Sequence, residues 1–281
     1  MKRVVVGALI VAVGLMFVAG AVWAKEKQSG KGMAAVERAA KAQKYLFVFF
    51  YSDDADQTSS MRLIFNKAVD SLPGKTMRVE VNVTDPAEAG IIDKYAVRGA
   101  PMPLAFAIAP NGAITGGFAA PFTEEQIVSS LVTPQTQASL KALQANKAVI
   151  LCVQNRNTKL NDAAMKGVQD LKADPKYATS TEIITLDPSD PGEAKLLGTL
   201  GIDPKIDQAQ TVCLVPPGRA VAKLAGATTK EMIVSSLTVK SGGGCCPGGA
   251  GASKGCGPTT AKAPSAAKPS TTSGTAEAGG K

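Results

Sequence analysis

Histidine is absent from all 281 residues. Its absence removes the Ser-His-Asp and Cys-His catalytic arrangements, together with the commonest metal ligand. Cysteine is missing from the first 151 positions, so no thiolate nucleophile can come from the N-terminal half. Aromatic residues make up only 5% of the chain, and basic residues are dispersed through its body, so the sequence predicts no nucleic-acid partner. The net charge of +8 is concentrated at the ends: Lys2 and Arg3 contribute +2 and residues 241–281 a further +3, leaving +3 for the body. What the chain does have is apolar content, 45%, enough for packed cores, and a length that suggests about two domains.

Residues 1–24 read as a targeting segment. Lys2 and Arg3 precede an uncharged run from Val4 to Val22, and Val22-Trp23-Ala24 resembles a small-x-small cleavage site ahead of KEKQSGKG. The run suits a signal peptide, and it is also just long enough to span a bilayer as an uncleaved anchor, with membrane association through residues 4–22. Either way the body is exported, to the periplasm or cell envelope, where disulfides are permitted.

Beyond the leader, Met33 to Lys44 reads as a short amphipathic helix. Tyr45 to Tyr51, YLFVFFY, is too short for a helix of its own and rich in strand formers, so it reads as a buried strand. Ser52, Asp53, Asp54 and Asp56 break the run, and Met61, Ile64, Phe65 and Ala68 then take helical spacing. Alternation in Thr76 to Val83 predicts a half-buried strand. Asp85-Pro86 opens a helix, and Arg98-Gly99-Ala100-Pro101 closes it. Leu104 to Ala109 and Ala113 to Phe118 form a hairpin about Asn111-Gly112, and Thr123 to Gln126 cap a last helix.

The order βαβαββα then recurs. Asp85-Pro86 with Glu88-Ala89 returns as Asp190-Pro191 with Glu193-Ala194, Pro110 and Gly112 as Pro216 and Gly218, and Ile127 to Leu131, IVSSL, as Ile233 to Leu237. Three blocks in one register, at offsets of 105 and 106, indicate a duplication. The expected domains are residues 34–134 and 145–240, joined by the polar stretch Pro134 to Asn146.

This α/β order resembles the thioredoxin-like fold superfamily, and Arg98 to Pro101 before a strand resembles the loop that carries that family's cis-proline. The resemblance implies two thioredoxin-like domains, each with a mixed four-stranded sheet. Where the family has Cys-x-x-Cys, the first copy has Asp56-Gln57-Thr58-Ser59 and the second Asn155-Arg156-Asn157-Thr158; the second also lacks the proline, with Lys205 to Gln208 in that place. The implied site is therefore Asp56, Ser59, Pro101 and Met102, a proline loop and junction without thiols, suited to a protein or peptide partner rather than to dithiol exchange. Asp53, Asp54 and Asp56 lack EF-hand spacing and read as a solvated, helix-capping loop.

Cys152 and Cys213 fall in neighbouring strands of the second copy, as inert buried thiols or as a disulfide across the pair. Cys245, Cys246 and Cys256 lie among glycines, where a disulfide to Cys256, a soft-metal site for copper or zinc, and a mobile redox arm all remain open. Residues 257–281 have the composition of a disordered tail. The functional expectation is a redox-inactive tandem binding or scaffolding module of the envelope, with no cofactor. The alternative is a thiol-redox or metal-handling protein that uses the C-terminal cysteines.

Overall fold

In the computed structural model, residues 30–72 and 74–238 are described. The expected leader helix, the cysteine cluster and the tail lie outside them. Among the described residues no helix is long and apolar enough to cross a membrane.

The first half runs α1 (Lys31–Lys41), β1 (Tyr45–Tyr51), α2 (Asp56–Asp70), β2 (Thr76–Asn82), α3 (Ala89–Lys94), β3 (Leu104–Ile108), β4 (Ile114–Ala119) and α4 (Glu124–Val128). Its sheet has the order β2-β1-β3-β4, with β1 and β2 parallel and the other pairs antiparallel. The reason YLFVFFY is apolar at every position is visible here. Alternate side chains of a strand point to opposite faces, and both faces of β1 are covered. Leu46, Val48 and Phe50 pack with Val36, Ile91 and Ile92 from α1 and α3. Phe47 and Phe49 pack with Met61, Phe65 and Ile127 from α2 and α4.

The second half repeats the plan: α5 (Pro134–Gln144), β5 (Ala148–Val153), α6 (Asn161–Ala173), the short α7 (Pro175–Ala178), β6 (Thr181–Leu186), α8 (Ala194–Leu200), β7 (Gln210–Val215), β8 (Arg219–Ala225) and α9 (Lys230–Thr238). Sheet order β6-β5-β7-β8 and strand directions match the first sheet. The fold is mixed α/β, with two four-stranded sheets each covered by helices on both faces, as the repeated motifs predicted.

Local signals of the sequence correspond to local geometry. Thr123 and Gln126 form a reciprocal capping box at the start of α4. Asn111-Gly112 turns the β3–β4 hairpin, with Gly112 at φ +82° and its amide donating to the Ala109 carbonyl at 2.8 Å. Asp85 and Asp190 each cap a single 3₁₀ turn, accepting from the amides of Ala87 and Gly192.

The duplicated glutamates had no evident purpose in the sequence, and burial supplies one. Glu88 and Glu193 are 2% and 1% exposed. Glu88 Oε2 accepts from the Gly32 amide at 3.0 Å, in the first turn of α1. Glu193 Oε2 lies 3.5 Å from the hydroxyl of Thr136, in the first turn of α5. In each half a buried carboxylate thus sits at the positive end of the leading helix.

One expectation differs. Pro134 to Asn146 reads as a polar link, yet residues 134–144 are helix α5, the counterpart of α1. Thr133 caps it, Pro134 occupies its first turn, and Ala142 and Leu143 are buried in the core of the second half.

Candidate functional site

The C-terminal end of β1 delivers the chain into a tight junction, residues 52–55, before α2 begins. Asp53 organises it. Its Oδ1 accepts from the Ala55 amide at 3.1 Å and from the Thr58 hydroxyl at 3.4 Å, while the Ser52 hydroxyl donates to Oδ2 at 3.0 Å. The Ala55 amide first, then the Ser52 and Thr58 hydroxyls, hold the Asp53 carboxyl below the usual carboxylate range. Asp54 is taken by Arg62 at 2.7 Å, and the same guanidinium bonds Glu80 at 2.9 Å. Arg62 also lies over the rings of Tyr51 and Phe49, 4.9 and 5.6 Å from their centroids. The carboxylates of this loop therefore brace it, and the Arg62 guanidinium is already neutralised. This half contains no cysteine or histidine, so the junction offers no thiolate or imidazole.

Asp56 and Ser59 lie three residues apart in the exposed first turn of α2. Pro101 is exposed and Met102 half-buried. A pocket of about 360 Å³ joins the junction to the loop before β3, lined by Ser52, Val83, Ile92, Val97, Arg98 and Met102 among others. Asp56, Ser59 and Pro101 do not line it. Ser52 and Val83 do, though the sequence singled out neither for this site. No local signal marks them: Ser52 looked like a strand terminator, and Val83 ended an ordinary strand.

The proline loop needs a correction. The cis peptide bond is Met102–Pro103, immediately before β3, and the bond preceding Pro101 is not cis. Gly99-Ala100-Pro101 reads as a turn in its own right and points to Pro101, whereas the proline that abuts the strand, Pro103 before Leu104, carries the bond. In the second half no cis bond precedes β7, in keeping with the missing proline.

The two copies differ in what satisfies the backbone here. In the second half the junction loop pairs with the segment before β7: the Lys159 amide donates to the Asp207 carbonyl, and the Ala209 amide to the Lys159 carbonyl, both at 2.9 Å. Side chains tighten the loop further. Asn155 donates to Asp187 at 2.9 Å, and Asn161 accepts from the Thr158 hydroxyl at 2.7 Å. In the first half Pro103 stands where Ala209 stands in the second: the Ala120 amide donates to the Pro103 carbonyl as that of Gly226 does to Ala209. Proline has no N–H to offer, so the cross-link to the junction is lost. Met102, like Gln208 at the matching position, has no backbone partner for its amide or carbonyl among the described residues, so what the first copy lacks is the pair of bonds that Asp207 and Ala209 make to Lys159.

Cys152 and Cys213 are buried free thiols. Cys152 pairs across the ladder with Thr211, and Cys213 with Ile150, so the two cysteines are diagonal neighbours. Diagonal positions stand about 7–8 Å apart, too far for a disulfide. Burial pushes the Cys152 thiol up to about 12, with a smaller contribution from Cys213, and pushes Cys213 up to about 11. In the native protein at pH 8 both thiols are expected to resist an aromatic disulfide reagent, and to react fully in denaturant. Because these thiols keep protons that an unfolded chain releases, stability is intact below about pH 9 and falls as the pH rises toward 11. Rapid native labelling at Cys152 or Cys213 in a Cys245→Ser/Cys246→Ser/Cys256→Ser background, or a flat profile across that range, would contradict the burial.

No family model matches the sequence, and no curated protein matches it. Among solved structures, the first two thioredoxin domains of Naumovozyma dairenensis Eps1p are 10% identical with a TM-score of 0.27, over 72% of this chain and 95% of that one. Human ERp44 in a zinc-bound form is 11% identical with a TM-score of 0.32, over 73% of this chain; the match spans 57% of ERp44. Thioredoxin O2 of Arabidopsis thaliana is 12% identical with a TM-score of 0.31, over 37% of this chain and 85% of that one. Strand order β2-β1-β3-β4 in one half and its repeat in the other, with helices on both faces of each sheet, give the chain two successive copies of a thioredoxin-like fold.

Proposed function

We propose that this protein is a redox-inactive binding module of the cell envelope whose first domain receives an extended, apolar stretch of a partner polypeptide. The observation that carries the reading is the contrast between the two copies. In the second, the backbone before β7 is consumed by the junction loop. In the first, Pro103 has no amide to offer, no such bond joins the loop to the junction, and the Met102 peptide groups stand unpaired beside a pocket walled by Val83, Ile92 and Val97. An extended peptide bonds to such groups as an added strand would, and its side chains enter the neighbouring pocket. Val83, Ile92, Val97 and Met102 favour an aliphatic or aromatic residue there. The lack of thiols at both junctions supports binding without turnover. An envelope location rests on the uncharged run Val4–Val22 behind Lys2 and Arg3.

The test is binding of fluorescent peptides of varied apolar content. Saturable binding of extended apolar peptides is expected, and Met102→Asp is expected to weaken it by about tenfold or more, because a charge then enters the pocket rim. The melting temperature of the variant checks that the fold survives. Equal affinity for the variant and the parent, or no binding by any peptide, would overturn the proposal.

A further inference from the structure

The two domains enclose a second, larger cleft of about 860 Å³. It lies at the other end of β1 from the Ser52 junction, because Tyr45, the first residue of that strand, forms part of its wall. Its volume falls in the range of small-molecule sites, and its place between domains is where such sites gather. One wall comes from the first domain through Tyr45, Lys75 and Leu131. The other comes from the first turn of α5 and from α8, through Pro134, Lys195 and Leu196.

Much of the polar capacity of the lining is spent internally. The Tyr45 hydroxyl donates to the Val132 carbonyl and accepts from the Val132 amide, each at 3.0 Å. The Gln137 side-chain amide donates to the same carbonyl at 3.0 Å. Rings and aliphatic carbons of tyrosine, proline, leucine and valine are left to face the cleft.

Its charge is of one sign. No aspartate or glutamate lines the cleft, whereas Lys75 and Lys195 stand on opposite walls. Among the described residues neither lysine is paired with a carboxylate. Both are exposed, and Lys195 makes only a long 3.3 Å bond to the Ser129 carbonyl. The nearby Glu193 is held at Thr136 and does not line the cleft. An apolar cavity with two ammonium groups and no carboxylate complements an apolar body with one acidic head.

We infer that the interdomain cleft binds an amphipathic monoanion, an apolar chain or ring ending in a carboxylate, with Lys75 and Lys195 holding the head group. This site is separate from the Met102 pocket and does not depend on the reading given for it. Titration of the full chain with dodecanoate, below its micelle-forming concentration, is expected to show saturable one-to-one binding. Dodecyltrimethylammonium, with the same chain and the opposite charge, is expected to bind at least roughly tenfold more weakly. The double variant Lys75→Gln/Lys195→Gln is expected to lose roughly tenfold in dodecanoate affinity with its melting temperature unchanged, and raised salt is expected to weaken binding to the parent. An absence of saturable binding at millimolar dodecanoate, equal binding of the cationic amphiphile, or undiminished affinity in the double variant would each overturn the inference.

Discussion

Phe65→Ala is expected to remove about 3–5 kcal/mol from the stability of the first domain, the loss typical of deleting a buried ring and leaving a cavity. Phe65 is 0% exposed, and its ring lies 5.4 Å from that of Phe49, on the face of β1 covered by α2 and α4. Small domains hold only about 5–15 kcal/mol in total, so the loss lowers the melting temperature of that domain by more than about 10 °C. Leu63→Ala is the matched control. Two residues earlier on the same helix, Leu63 is 72% exposed, so its truncation is expected to shift stability by less than about 0.5 kcal/mol. Denaturant unfolding of the two variants measures both values. Similar effects at the two positions would mean that α2 presents another face to the sheet.

Removal of α5 is expected to be more damaging still. A fragment of residues 145–238 lacks Ala142 and Leu143, which pack with Val149, Leu151 and Leu197, and it leaves the buried Glu193 without the Thr136 hydroxyl. Loss of α5 leaves α8 alone on that face and exposes apolar side chains of β5 and β6, burial that a domain of this size needs to offset the entropy of its chain. A fragment of residues 133–238 retains the Thr133 cap and the whole helix. The longer fragment is expected to unfold cooperatively and the shorter one not to. Circular dichroism during thermal unfolding distinguishes them, and a cooperative transition in the shorter fragment would show that α5 is dispensable.

That helix also shows where reading the sequence fell short. Thr133-Pro134 is a sound helix start, but its buried positions are Ser139, Ala142 and Leu143, so little hydrophobic contrast marks the inner face. A helix stabilised mainly by docking leaves a weak local pattern. β1 is the opposite case, apolar at every position because both its faces are covered.

The candidate site divides along the same line. Absence of thiols and histidine at the first junction was legible at once, since chemistry needs particular atoms. Which residues meet was not. Ser52 and Met102 are 50 positions apart, and only the pairing of β1 with β3 brings the end of one strand beside the start of the other.

By itself, the sequence determined the duplication, the strand order along each copy, and the caps and turns, because these follow from periodicity, repeated identities and hydrogen bonds within a few residues. Tertiary structure alone decided which proline carries the cis bond, why Glu88 and Glu193 are paired with leading helices, and why the first proline loop is open while the second is closed by Lys159 and Ala209. Each of these depends on groups distant along the chain competing for the same hydrogen bonds or the same buried volume, and no local window of residues contains both competitors.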